Sequence, residues 1–249
     1  MTRELACDIS TCVHRDELAV ENLAPWDGAA CPGKALRRLA DGALRSAILL
    51  LERGWTAPSA RADGALVQVF VLAGRLRVDQ TVLGENGFAV LPGDRPLELE
   101  ALADSEIIVI VDSADVEGPS PEPVILADCL GIAPFVPVIA GKRLEGFERR
   151  VLWQDARSGA DTRLLKVPAG FGGVGGANWH PVEEEIFCIA GDIQPDDTRP
   201  MRAGSFLWNP AYSIHGFDER TRGGCVLLEW HDGLWDLVRA PEADRRHGG

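Results

Sequence analysis

Two short stretches of the sequence carry residue types that bind metals. In NWHPVEEEIFCIAG, His180 precedes Glu184 by four residues, and in NPAYSIHGF, His215 follows an apolar segment and a proline. Two imidazoles and one carboxylate suit divalent iron, manganese, zinc or nickel, and three such ligands leave coordination positions open. Side chains of a strand alternate between its faces. Asn178, His180, Val182 and Glu184 therefore share one face if the strand continues through Pro181, while Glu183 and Glu185 point away, to solvent or to the opposite layer. The consecutive glutamates need not play one role.

These residues need a scaffold of strands to bring them together. The segments between turn signals are short and rich in Val, Ile, Leu and Phe, as in SAILLLE (46–52), LVQVFVLAG (66–74), EIIVIVD (106–112), TRLLKV (162–167) and GCVLLEW (224–230). That pattern predicts an all-β chain, with helix expected only near the start, in HRDELAVEN and GKALRRLADGALR. The two halves also match. VFVLAG ends at Gly74 and IFCIAG at Gly191, and GFAVLP starts at Gly87 where GSFLWNP starts at Gly204, both at an offset of 117. Two landmarks at one offset predict duplicated β domains. The expected division is an N-terminal segment 1–45, a first barrel 46–112, a linker and lead-in strand 113–148, a second barrel 149–238 and a tail 239–249.

HPVEEEIFCIAG followed by GSFLWNPAYSIH resembles the two motifs of the cupin superfamily. The first motif runs G-x5-H-x-H-x3,4-E-x6-G; His180, Glu184 and Gly191 occupy its second histidine, its glutamate and its last glycine. The second runs G-x5-P-x-G-x2-H, matched by Gly204, Pro210 and His215. The resemblance implies a bicupin of two tandem jelly-roll barrels, similar to the zinc-binding anti-sigma-factor cupins and to acetylacetone-type dioxygenases. It implies one divalent metal, iron(II) foremost with zinc, manganese or nickel as alternatives, held by His180, Glu184 and His215. Two positions depart from the motifs. Asn178 stands where the first histidine belongs, a weak ligand or a pocket residue. Tyr212, the only tyrosine, replaces a glycine; with Glu184 it is a candidate catalytic residue at the pocket mouth.

The first repeat lacks these ligands. An offset of 117 sets Arg61 opposite Asn178, Asp63 opposite His180, Val67 opposite Glu184, and Leu97 or Glu98 opposite His215. A structural or dimerising role is expected for that half.

Other residues carry weaker signals. Glu229 and His231 share one face of a late strand and could supply a general base; the preferred reading sets them outside, with Val226, Leu228 and Trp230 inward. Phe206 and Trp208 read as core, with an aromatic pocket wall as the alternative. GFGGVGG (170–176) fits neither dinucleotide nor P-loop patterns. Cys7, Cys12, His14 and Cys31 lack the paired spacing of zinc modules, and free, buried thiols are expected. The formal net charge of −13 argues against nucleic acid and anionic membrane as partners. No apolar run is long enough for a membrane span and MTRELACD lacks a signal-peptide core, so a cytoplasmic protein is expected.

The expected function is a metal-dependent enzyme acting on a small organic substrate, a dioxygenase-like oxygenase first. A redox-neutral isomerase or lyase needs the same ligands, and a metal-loaded sensor or small-molecule-binding module is the alternative from another class. A homodimer is the expected assembly.

Overall fold

The apolar segments become strands because each is paired on both sides and covered on both faces. Leu44–Leu51 is buried along most of its length, and Ile48 and Leu49 are fully enclosed. Chains of Val, Ile, Leu and Phe fit such a position. The computed structural model describes residues 6–7, 10–27, 29–60, 65–113, 122–139, 141–173, 176–196, 199–216 and 219–240. Of the positions read from the sequence, Arg61, Asp63, residues 114–121 and 140 of the linker region, part of the GFGGVGG stretch and the tail from 241 lie outside the described residues.

The chain divides into two compact units: residues 17–132, and residues 1–16 together with 133–249. In the first, an antiparallel sheet runs in the order Val124–Leu126, Phe88–Pro92, Ala65–Ala73, Ser105–Ser113, Leu44–Leu51, Ala29–Arg38, Glu21–Trp26. A smaller sheet of Thr56–Ala60, Leu97–Ala101, Leu76–Val78 and Thr81–Leu83 shares one apolar core with it. Val67 and Leu97, the repeat positions of Glu184 and His215, are buried in that core, and Glu98 is exposed.

In the second unit the main sheet runs Glu148–Gln154, Asp161–Val167, Cys225–His231, Glu184–Ile193, Ser205–Asn209, Thr11–His14. The repeat is visible here as geometry. Ser205–Asn209 follows Phe88–Pro92 by 117 residues at both ends, and Asp161 follows Leu44 by the same interval. Each sheet places these strands in equivalent order around a centre, Ser105–Ser113 in one and Cys225–His231 in the other. Gly74, just after Ala65–Ala73, and Gly191, near the end of Glu184–Ile193, hold φ 88° and 79°. A Cβ at either would strike a backbone carbonyl oxygen, of Asp104 and Gly224 respectively, so the glycine is required twice over.

Three expectations are corrected. The segments expected as helix contain no α-helix: they form strand at 21–22, 33–38 and 44–45, a single 3-10 turn at Arg15–Glu17, and turn or irregular backbone between. Ala29–Arg38 pairs with Glu21–Trp26 through its first half and with Leu44–Leu51 from Gly33 onward, so cross-strand pairing overrides local helix preference. Residues 1–45 are not a separate segment: Thr11–His14 extends the second unit's sheet, and Glu21–Arg38 belongs to the first unit's. His14 of that strand is buried, with Nε2 3.1 Å from the Ala203 carbonyl. The sheets also differ from the barrels expected, since among the described residues their hydrogen bonding follows open paths with two ends.

Candidate metal centre

Strand register builds the site. Asp161, His231, Glu184 and Asn209 are successive cross-strand partners, one from each of four neighbouring strands. All four are buried, and their side chains join in a row. Asn209 Nδ2 donates to Glu184 Oε2 at 2.7 Å. His231 Nε2 lies 3.0 Å from Glu184 Oε1, and its Nδ1 lies 2.8 Å from Asp161 Oδ1. Arg163 Nη2 donates to the same Asp161 oxygen at 2.9 Å.

His180 and His215 arrive from outside this row. The backbones of Asn178 and His215 exchange hydrogen bonds, each at 2.9 Å, and Tyr212 N–H donates to the His180 carbonyl at 2.8 Å. This ladder sets the two imidazoles with centroids 4.6 Å apart. Tyr212 has φ 66°, the left-handed region, which accounts for the glycine of the cupin motif at this place.

The donor set fits a divalent cation. One ligand atom each from His180, Glu184 and His215 lies within 4.8 Å of the others. His180 Nε2 is 3.3 Å and His215 Nε2 3.9 Å from Glu184 Oε2, close to the roughly 3 Å separation of adjacent ligands around an ion with bonds near 2.1 Å. The other ring nitrogens are occupied: Nδ1 of His180 donates to the Val182 carbonyl at 2.8 Å, and Nδ1 of His215 to the Ser213 carbonyl at 3.0 Å. In the neutral rings the Nε2 lone pairs then aim at a carboxylate, an arrangement that a cation between them resolves and that backbone acceptors behind metal-bound histidines produce. Asn178 Oδ1 is buried without a hydrogen-bond partner. Among the described residues this is the group of His, Cys, Asp and Glu suited to a metal; Cys12 and Cys31 are in no disulfide among the described residues, and the side chain of Cys7 is outside them.

Electrostatics follow from the same contacts. Burial pushes the Glu184 carboxyl upward, but His180 and His231 more than offset it and hold it well below the usual carboxylate range. Burial pushes His180 down, while the Glu184 carboxylate raises it further, to a net increase. Burial and the neighbouring His180 push His215 down to about 4. Asp161 is lowered against its burial by His231 and Arg163.

Asn178, His180, Glu184, Asn209 and His215 line a cavity of about 110 Å³. Its far side is apolar, with Leu165, Leu207, Leu227 and Phe147. Glu229, on the strand of His231, also lines it. The preferred outward placement of Glu229 and His231 is therefore corrected: Val226, Leu228 and Trp230 take the other face, because the Cys225–His231 strand pairs Glu184 with His231 and not with its neighbour Trp230. Phe206 and Trp208 do not form a pocket wall, since the alternate residues Leu207 and Asn209 point in. The Tyr212 ring stacks on Trp179, 5.6 Å between centroids, and is not part of the cavity lining, so the expectation of a catalytic Tyr212 finds no contact there. Arg149, Glu219 and Trp235 line the cavity without having been singled out from the sequence. Each lies on a different element from the motifs, and no spacing rule connects them. Glu183 is half-buried, and Glu185 is buried on the face opposite the cavity.

No protein-family model and no curated protein matches the sequence. Solved structures do. A candidate dioxygenase of Nostoc punctiforme superposes with a TM-score of 0.78 at 15% identity, over 94% of this chain and 87% of that one. Protein Ylba of E. coli gives 0.68 at 15% identity, over 92% and 94%. A point mutant of the oxalate decarboxylase OxdC of Bacillus subtilis gives 0.60 at 14% identity, over 94% and 82%. These neighbours are cupin-type proteins. The fold is cupin-like. Within that cupin fold the described residues contain no helix long and apolar enough to cross a membrane. The oxalate decarboxylase among the neighbours has Mn(II) centres.

Proposed function

We propose that the chain is a bicupin in which the C-terminal half alone holds a metal, and that it is a metal-dependent enzyme for a small organic substrate. His180 Nε2, Glu184 Oε2 and His215 Nε2 are the ligands, with Asn178 Oδ1 as a neutral fourth donor. The observation that carries this reading is the pair of imidazole Nε2 atoms aimed at one buried carboxylate, each ring fixed from behind by a backbone carbonyl. When bound, the ion supplies a Lewis-acid centre with open coordination positions. The chain's own residues do the rest. His231 and Asn209 hold the Glu184 carboxylate in place, the apolar far wall excludes water, and the small cavity limits the substrate to a few heavy atoms more than a ring.

Dioxygenase-like chemistry with iron(II) is the leading assignment, supported by the facial set of two histidines and one glutamate and by the structural likeness to a candidate dioxygenase. One observation favours redox-neutral isomerisation or elimination instead. Burial, together with Glu184 and Glu229, raises the Glu219 carboxyl to about 7, a value suited to proton transfer near neutrality.

Metal analysis of protein purified without added metal, followed by oxygen uptake with diketones and phenolic ketones, tests the assignment. The expected result is about one metal per chain, lost in His215→Ala and Glu184→Gln. Metal retained in His215→Ala, or two equivalents bound with similar affinity, would overturn it. Uptake of oxygen selects the oxygenase, and turnover without uptake selects the redox-neutral enzyme.

A further inference from the structure

Arg149 places a charged fork in a mostly apolar row. Its strand register sets it beside Leu165, whose row continues as Leu227 and Cys188. Reciprocal backbone hydrogen bonds with Phe135, at 2.8 and 3.0 Å, hold it there. The residue is 8% exposed and lines the cavity. Among the described residues no hydrogen bond or ion pair reaches its guanidinium, and its Nε is buried without an acceptor. Arginine stays charged under all ordinary conditions and offers five donors in a rigid fork. A buried charge of this kind is costly unless something completes it.

Two further donors nearby lack acceptors. Trp235 neighbours both arginines and one metal ligand: its ring centroid is 5.5 Å from Arg149 Cζ, 5.0 Å from Arg163 Cζ and 6.2 Å from the His180 centroid. The indole Nε1 is buried without a partner, as is Arg163 Nε. The Glu229 carboxyl leaves its Oε2 3.9 Å from Arg163 Nε, outside hydrogen-bond range. Arg149 Nε, Arg163 Nε and Trp235 Nε1 are thus three neighbouring buried donors without a hydrogen-bond partner among the described residues, although Arg163 is held by Asp161 through Nη2 and Glu229 is a counter-charge to both arginines.

We infer that Arg149 is the receptor for a carboxylate, and that the substrate is a small monocarboxylic acid with an apolar body; this rests on the proposed metal-dependent function for the identity of the reacting end. A planar carboxylate matches the guanidinium fork. The rest of the lining fits the remainder of such a molecule, with Leu165, Leu207 and Leu227 around the body. Glu184, Glu219 and Glu229 line the same cavity and disfavour a second negative charge on the ligand. Arg149 and His180 both neighbour the Trp235 ring and line the same cavity, so a molecule held at Arg149 by its carboxylate can present its other end to the metal ligands.

Calorimetric titration of the full chain, metal-free and manganese-loaded, with propionate, benzoate and phenylacetate and with the corresponding alcohols, tests this. At least one acid is expected to bind about tenfold or more tightly than its alcohol in both forms. Arg149→Gln should abolish the preference at unchanged metal content, and Arg149→Lys, which keeps the charge without the fork, should retain a smaller one. Equal affinity for acid and alcohol, absence of binding by every acid, or a preference that survives Arg149→Gln overturns the inference. Should the Gln variant fail to fold, an undiminished preference in the Lys variant overturns it. A preference seen only with manganese and insensitive to Arg149 would assign the carboxylate to the metal, leaving the proposed function standing. Arg149-dependent acid binding in a chain that holds no metal would do the reverse.

Discussion

His231 and Glu184 are direct cross-strand partners, with Nε2 of the imidazole 3.0 Å from Oε1 of the carboxylate. The other carboxylate oxygen faces His180, His215 and Asn209. His231 therefore grips the side of Glu184 turned away from the ligands, and Asp161 fixes His231 in turn. His231→Phe should weaken metal binding by roughly 10–100-fold, the usual cost of losing such a support, while the variant stays folded. Competition against a chelator measures it; an unchanged affinity would show that Glu184 is oriented by other contacts.

Asn178 sits in the place of a motif histidine, with its Oδ1 buried and unpartnered and its backbone locked to His215. Asn178→His should add an imidazole to the ligand set and tighten metal binding by about tenfold, within the range such neighbours command. Weaker binding in this variant would mean that the cavity has no room for the larger ring.

Protons should compete with the metal in a defined window. His180 is held above its ordinary value by Glu184 against the effect of burial, so the metal-free site carries a proton there that the metal must displace. That attraction stabilises the metal-free fold below about pH 6.5 and is lost as pH rises through the raised value. His215, pushed down to about 4, is neutral throughout this range and opposes folding only as pH falls from about 6.5 towards 4. Metal affinity should therefore rise with pH. Proton release on metal binding near pH 6.5 that falls as pH rises further is expected from calorimetry in buffers of different ionisation enthalpy. Release independent of pH would refute the assignment of that proton to His180.

Chelation should leave the fold standing. The unit around the site has its own apolar core, including Phe147, Val167, Leu207 and Leu227. The expected loss is the binding term alone, on the order of 3–4 kcal/mol for free metal at 100–1,000 times Kd. Circular dichroism should retain the β signal, with a lower melting temperature. Collapse to an unfolded chain would make the metal a structural staple.

The spacing of His180, Glu184 and Gly191, and of Gly204 and His215, was legible because those intervals are short and local, but the strand expected to run through Pro181 breaks between Trp179 and Glu184, so alternation alone does not bring His180 to Glu184. The 117-residue repeat was legible for the same reason, as strands and glycines recur at fixed intervals along the chain. Tertiary structure decided what meets across strands. Glu229 and His231 alternate with residues as apolar as Leu228 and Trp230, so either face could have been inward; pairing of His231 with Glu184 and Asp161 settled it. Arg149, Glu219 and Trp235 enter the cavity from separate elements, and nothing in their local sequence distinguishes them from solvated or core residues. Thr11–His14 joins a strand almost 200 residues later, Ser205–Asn209, through backbone hydrogen bonds that any sequence of that length could make. Local periodicity is written in consecutive residues, whereas register and cavity lining depend on which distant strands share a sheet.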